Sequence, residues 1–331
     1  MKNRLLILLS LFVFGSQSYA QEGIPIYFDY LADNYYLVYP SMAGIGEGGK
    51  IRLTARKQWF SVDEAPNLQT LNAHFRVGER SGVGGIIFND ANGFHSQTGV
   101  KFTYAHHLRF SRDLRNLNQL SFGLSAGAIL SSLDETEFRS VIPDPIITGT
   151  KNTVGYFNVD FGMSYNFLEF YAHVAALNIL GSGRDLYTAI EFDNLRRYLL
   201  SVGYVFGKGE WQIEPSVLLQ LTEFTQEKTI DINAKVYREV SFGTVWGGLS
   251  YRRSFDGAQF QANGNFGEQR LQLFTPIVGV NYKNFMFSYN YSYQSGEIRL
   301  DNGGFHQITL GYNFGQLTEK KYDCKCPAVN L

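Results

Sequence analysis

Six histidines, two cysteines and many serines are the side chains here that could bind a metal or attack a substrate, and their spacing favours neither. His106 and His107 are adjacent, and neighbours in an extended strand point to opposite sides, so the two rings cannot share an ion. His106 is read as an interfacial residue. His74, His95, His173 and His306 lack a spaced set of Cys, Asp or Glu partners. The serines recur at every second position of alternating stretches, which suits a small, polar interior better than nucleophiles. The glycine-rich run 82–85 lies within such a stretch and not between a strand and a helix, so it makes a poor phosphate cradle. Cys324-x-Cys326 supplies two ligands, too few for a structural zinc. The pair could be a strained disulfide, two thiols or part of a site shared with a partner, and a short tail pair without catalysis is preferred. No catalytic, cofactor or metal site is expected, and the chain is not expected to be an enzyme.

The elements that carry these residues have a period of two. Phe285, Phe287, Tyr289, Tyr291 and Tyr293 fall on one face, with Met286, Ser288, Asn290 and Ser292 on the other. The same division recurs with Leu71, Ala73 and Phe75 against Asn72, His74 and Arg76, and with Phe157, Val159, Phe161 and Met163 against Asn158, Asp160, Gly162 and Ser164. Composition agrees: 27 Phe, 21 Tyr, 34 Gly and a mean hydropathy of -0.16 suit a barrel with an aromatic outer face and a polar lumen. Arg52, Arg56, Arg76, Lys101, Arg109, Glu214, Asp231 and Lys235 fall in the lumen phase. On the lipid face each Arg or Lys would cost roughly 2 to 4 kcal/mol at mid-bilayer. With 29 basic against 30 acidic residues, no concentrated basic face for nucleic acid is indicated.

The expected fold is all-β: an outer-membrane, transmembrane antiparallel barrel of about fourteen strands. Strands are placed from near Gly49, Thr70, Gly82, Thr98, Gln119, Thr153, Phe170, Arg196, Trp211, Thr229, Val240, Leu271, Phe285 and Gly304. Long external loops are expected at 60–69, 89–97, 134–152, 178–195, 222–228, 252–270 and 294–303. Short turns are expected near Gly78, Ser111, Asn166, Gly207, Tyr237 and Lys283. Pro215 and Pro276 interrupt outward-facing phases, where a missing N–H calls for a bulge or a strand end. A soluble β-sandwich shares the alternation but not the aromatic outer face.

Lys2 and Arg4, an apolar run over 5–14 and Ser18-Tyr19-Ala20 form an export signal. The domain expectation is a signal peptide at 1–20, an N-terminal periplasmic or plug segment at 21–47, the barrel at 48–314 and a periplasmic tail at 315–331. Aromatics crowd the second of these (Tyr27, Phe28, Tyr30, Tyr35, Tyr36, Tyr39), which favours packing over a free tail.

Several motifs resemble the PorP/SprF family. Tyr39-Pro40-Ser41-Met42-Ala43-Gly44 is similar to its N-P-A-Y-A-G, preceded by Tyr30 to Asn34 in place of Y-M-x-N. Arg56-Lys57-Gln58-Trp59, Ala65-Pro66-Asn67-Leu68-Gln69-Thr70 and Ser96-Gln97-Thr98-Gly99 follow in the family's order. Tyr104-Ala105-His106-His107, Leu120-Ser121-Phe122-Gly123-Leu124 and His306-Gln307-Ile308 resemble Y-A-Y-H, L-S-F-G-L and H-E-I. Tyr39 stands for Asn and Gln307 for Glu. The resemblance implies a cell outer-membrane component of the type IX secretion system of Gram-negative Bacteroidota, serving protein secretion and gliding motility. Its implied partners are outer-membrane lipid, the periplasmic lipoprotein ring components and the C-terminal domain of a secreted client or adhesin. Asn34, Pro40, Gly44, Arg56, Gln58, Trp59, Pro66, Gln97, Thr98, Gly99 and His306 are the structural or docking candidates it points to, with Trp59 equally suited to an interfacial girdle. A passive or ligand-selective porin of the same architecture is the alternative.

Overall fold

A computed structural model describes residues 31, 33–46, 48–58, 65–111, 116–136, 149–181, 196–207, 209–262, 265–295 and 304–315. Alternating sequence becomes strand throughout: β1 (Gly49–Gln58), β2 (Asn67–Arg76), β3 (Ser81–Asn92), β4 (His95–Arg109), β5 (Asn118–Asp134), β6 (Lys151–Phe167) and β7 (Phe170–Leu177). They continue as β8 (Arg197–Tyr204), β9 (Trp211–Thr222), β10 (Lys228–Val240), β11 (Gly243–Ala262), β12 (Asn265–Tyr282), β13 (Phe285–Ser295) and β14 (Phe305–Phe314). Each strand pairs antiparallel with its sequence neighbours, and β14 pairs with β1 from Gly49↔Phe314 to Gln58↔Phe305, which closes the ring. A closed ring leaves no unpaired edge along the seam, the arrangement that a lipid environment demands of strands. The sandwich is thereby excluded.

The strand number is as expected, while several connections differ. The stretch 89–97, expected as a loop, is mostly ladder: Asn89↔Thr98 to Asn92↔His95 close on Gly93-Phe94 alone. The stretch 252–270 is likewise ladder for most of its length, with a register shift between Arg253 and Gly257. Tyr237 lies inside β10, and the chain turns after Val240 instead. Hydrogen bonding continues past the membrane-spanning length in these hairpins, so apolar alternation ends before the strand does. Long and short connections therefore alternate only in part.

Pairing lapses on one side of each proline, where the N–H is missing, while the ladders on the other side run on through Ala234↔Pro215 and Leu249↔Pro276. The β8–β9 ladder stops at Gly203↔Ser216, one residue short of Pro215. Between β12 and β13 it lapses after Phe274↔Tyr293 and resumes at Ile277↔Asn290, skipping Pro276.

The outward face is greasy and open: Phe102 is 73% exposed, Phe285 61% and Val278 57%. Apolar area of this extent would associate in water, and lipid accounts for it. The inward face buries Arg52, Lys101, Asp160, Glu214, Asp231 and Lys235. Fourteen strands make a cylinder wider than its own side chains fill. Residues 33–46 run inside it through two 3-10 turns, Tyr35–Leu37 and Pro40–Met42. We call the end where β1 starts and β14 finishes proximal, and the other distal. Residues 1–20, Trp59, the loop residues 137–148, 182–195 and 296–303, and the tail with Cys324 and Cys326 lie outside the described residues.

Candidate functional site

The inner segment is held by the proximal half of the lumen wall. Glycine makes room for it: a Cβ on Gly123 or Gly162 would strike Pro40, and one on Gly82 would strike the Ala43 carbonyl. Pro40 opens the second turn, where its fixed φ suits a first helical position and its absent N–H costs nothing. Gly44 has φ +65, a left-handed value that a side chain resists, and a Cβ there would sit 2.7 Å from Gly82 Cα.

Polar side chains then meet the segment's backbone. Gly44 N donates to His74 Nδ1 at 3.0 Å, and His107 Nε2 donates to the Ala43 carbonyl at 3.0 Å. Arg76 clasps two carbonyls, Nε to Gly44 O and Nη2 to Ile45 O, both at 3.0 Å. Asp33 sits beside Lys50 and Arg52, at 3.4 and 3.2 Å. Buried backbone groups of an irregular segment need such partners.

Deeper in the lumen, one carboxylate gathers four donors. Tyr35 and Tyr171 donate to Glu214 Oε1 at 2.8 and 2.6 Å, and Tyr237 donates to Oε2 at 2.6 Å. Lys235 Nζ lies 3.2 Å from the same Oε2. His173 is wrapped by aromatic rings, with Tyr171 at 5.0 Å, Tyr39 at 5.1 Å and Tyr35 at 5.7 Å between centroids. Burial pushes the phenols of Tyr35, Tyr36 and Tyr39 well above their ordinary range, so all three stay protonated. Lys101 and Asp160 form a second buried pair at 2.5 Å. Beside it lies a cavity of about 20 Å³, room for one water.

The residues singled out from sequence divide into groups. Pro40 and Gly44 seat the inner segment. Asn34 is buried there too; its carbonyl accepts from Leu37 N at 3.1 Å, while neither side-chain polar atom has a hydrogen-bond partner. Arg56, Gln58, Pro66 and His306 meet at the distal end of the β14–β1–β2 seam. Arg56 lies 4.2 Å over the Phe305 ring, Gln58 N donates to Pro66 O at 2.9 Å, and His306 Nδ1 is 2.7 Å from Tyr289 Oη on the outer face. Gln97 and Gly99 face the lumen on β4, where Gly99 leaves space for the Phe88 ring, and Thr98 faces out and donates to Asn89 at 2.8 Å. No single cleft unites them.

His74, His107 and His173 are the positions that sequence reading passed over, since a search for metal partners ignores rings that meet backbone, as His74 and His107 do, or pack among aromatics, as His173 does. Their lumen phase in the proximal half was the available signal. Gly123-Leu124-Ser125-Ala126-Gly127 also has the G-x-S-x-G spacing of a hydrolase elbow, which the sequence reading overlooked. It runs straight through β5, with Ser125 Oγ 2.6 Å from Thr103 Oγ1, so the strand-to-helix turn that exposes such a nucleophile is absent at this site. Among the described residues no three His, Cys, Asp or Glu side chains converge on a metal-sized site.

The model of the type IX secretion system membrane protein PorP/SprF family matches residues 20–312. The chain belongs to the PorP/SprF family. Family and closed barrel together place this PorP/SprF protein in the outer membrane, as a component of the type IX secretion system. The family is one of secretion-system membrane proteins and not of enzymes. No curated protein is significantly similar in sequence. Among solved structures, the Ralstonia pickettii toluene transporter TbuX is similar at TM-score 0.49 and 11% identity, over 84% of this chain and 92% of that one. The TodX monoaromatic hydrocarbon channel follows at 0.47 and 8%, over 81% and 91%. CdiB from Acinetobacter baumannii matches at 0.43 and 9%; 81% of this chain spans 60% of its length. Likeness at this level carries nothing about ligands.

Proposed function

We propose that this PorP/SprF barrel works by its two ends and not by its lumen. In this reading its distal end lies outside the cell and holds the C-terminal domain of a secreted client, and its proximal end faces the periplasm and joins the lipoprotein ring components of the apparatus. The observation that carries it is the occupied lumen. Residues 33–46 contact β1, β2, β4, β6 and β9, with Tyr36 on Thr103 and Ser41 on Ser164 among these contacts, and are almost wholly buried, which supports a plug over a passive pore. A barrel filled in this way offers its partners surface at the rims. Residues 1–20 act as an export leader, the inner segment as a plug and the tail after Phe314 as a periplasmic extension. Arg56, Gln58, Pro66 and His306 form the distal seam against which a client would rest, while Asn34, Pro40 and Gly44 maintain the plug.

The test is a deletion strain with affinity purification from gently solubilised envelopes. Loss of a large surface protein from the cell exterior, together with its recovery on the tagged barrel alongside periplasmic components, is expected. Unchanged secretion in the deletion strain would overturn the reading.

A further inference from the structure

The β11–β12 hairpin outgrows the wall that it belongs to. On its β10 side, β11 is paired up to Thr229↔Ser254 and then continues to Ala262 bonded only to β12. The cause is local. β10 begins only at Lys228, just after its turn from β9, and there its first N–H donates to the Asp256 carboxylate at 2.6 Å, beside the register shift between Arg253 and Gly257. Beyond it, the β11 residues Gly257 to Ala262 keep pairing with β12, from Gly257↔Arg270 to Ala262↔Asn265. Six residues of strand reach roughly 20 Å. Among the described residues, nothing pairs with this stretch on its other side.

An exposed strand edge is a row of unmet backbone donors and acceptors, and proteins ordinarily guard it with lysine, proline or brevity. The run Gly257-Ala258-Gln259-Phe260-Gln261-Ala262 has no charge and no proline. Two further strands overhang distally among the described residues: β12 beyond β13, over 265–271, which carries Glu268 and Arg270, and β6 beyond β7, where the chain itself intervenes at the base. There Ile179 N donates to Val159 O at 2.9 Å, and Asn178 N and Leu180 N donate to the Asp160 and Asn158 side chains at 2.8 and 3.2 Å. The base of the β6 overhang, 158–160, is thus clasped by its own chain, whereas no strand among the described residues pairs with the outer side of 257–262.

We propose that the outer edge of β11 over residues 257–262 takes up an extended strand of the secreted client, by main-chain strand addition. Only an extended backbone satisfies the hydrogen-bonding pattern of such an edge. A second copy fits less well. Two barrels in one membrane are related by an axis along its normal, so their β11 edges would run parallel, the less stable pairing. This inference rests on the distal end holding a client and names the element that does so.

The test places a photo-crosslinking residue at position 259 or 261 of the full chain in its native envelope, and at position 93 on the β3–β4 turn as a second distal site. Crosslinks from 259 and 261 to one short segment of a secreted protein are expected. Crosslinks to that protein from 93 alone would overturn the edge and leave the client reading standing. Absence of any client crosslink would overturn both. Crosslinks between two copies of the barrel would overturn the edge proposal in favour of self-association. The Gln259→Lys, Gln261→Lys double variant guards the edge with charge. It should lower client recovery by about tenfold or more while the barrel itself folds as before, and unchanged recovery would overturn the proposal.

Discussion

Glu214 is a buried carboxylate at the junction of the inner segment and the wall. It accepts from three tyrosines on the inner segment, β7 and β10 and faces Lys235, so its loss strands a buried ammonium and three hydroxyls at once. Glu214→Ala is expected to cost about 3–5 kcal/mol, the range for breaking a buried pair by removing one partner. Urea unfolding in detergent micelles, followed by the heat-dependent gel mobility of the folded barrel, would measure it. Gly123→Val acts through volume, because the new side chain would occupy the seat of Pro40. We expect a loss of about 1–3 kcal/mol and faster chymotrypsin cleavage at Tyr35, Tyr36 and Tyr39 as residues 33–46 are displaced. The sequence marks Glu214 and Lys235 as lumen residues by their phase in the strand. It cannot say that they meet Tyr35, because that contact joins residues far apart along the chain.

At the level of elements, the prolines give a direct check. Pro276 faces lipid on a strand whose β13 ladder breaks at that residue. Pro276→Val should restore one ladder bond and stabilise the barrel by about 0.5–1.5 kcal/mol, seen as a higher urea midpoint. A lower midpoint would mean that the gap is needed. Strand number and phase were legible because lipid and lumen impose opposite chemistry on successive residues. The length of β11 and β12 was not, because above the membrane both faces meet water and the alternation fades. For the same reason 89–97 looked like a loop although it is ladder.

For the whole molecule, the filled lumen predicts electrical silence. In planar bilayers the intact chain should show no sustained openings, and deletion of residues 33–46 should produce large ones; steady conductance from the intact chain would count against a sealed barrel. What the sequence determined by itself was a closed cylinder in lipid and the family to which it belongs, since period-two alternation is a local property and the motifs are contiguous. What only the tertiary structure decided is which lumen residues act together. Gly82, Gly123 and Gly162 make one seat, three histidines and an arginine line it, and the β11 edge outruns β10. These relations depend on strand register around a closed ring, and register is set by pairing between distant segments that no local pattern encodes.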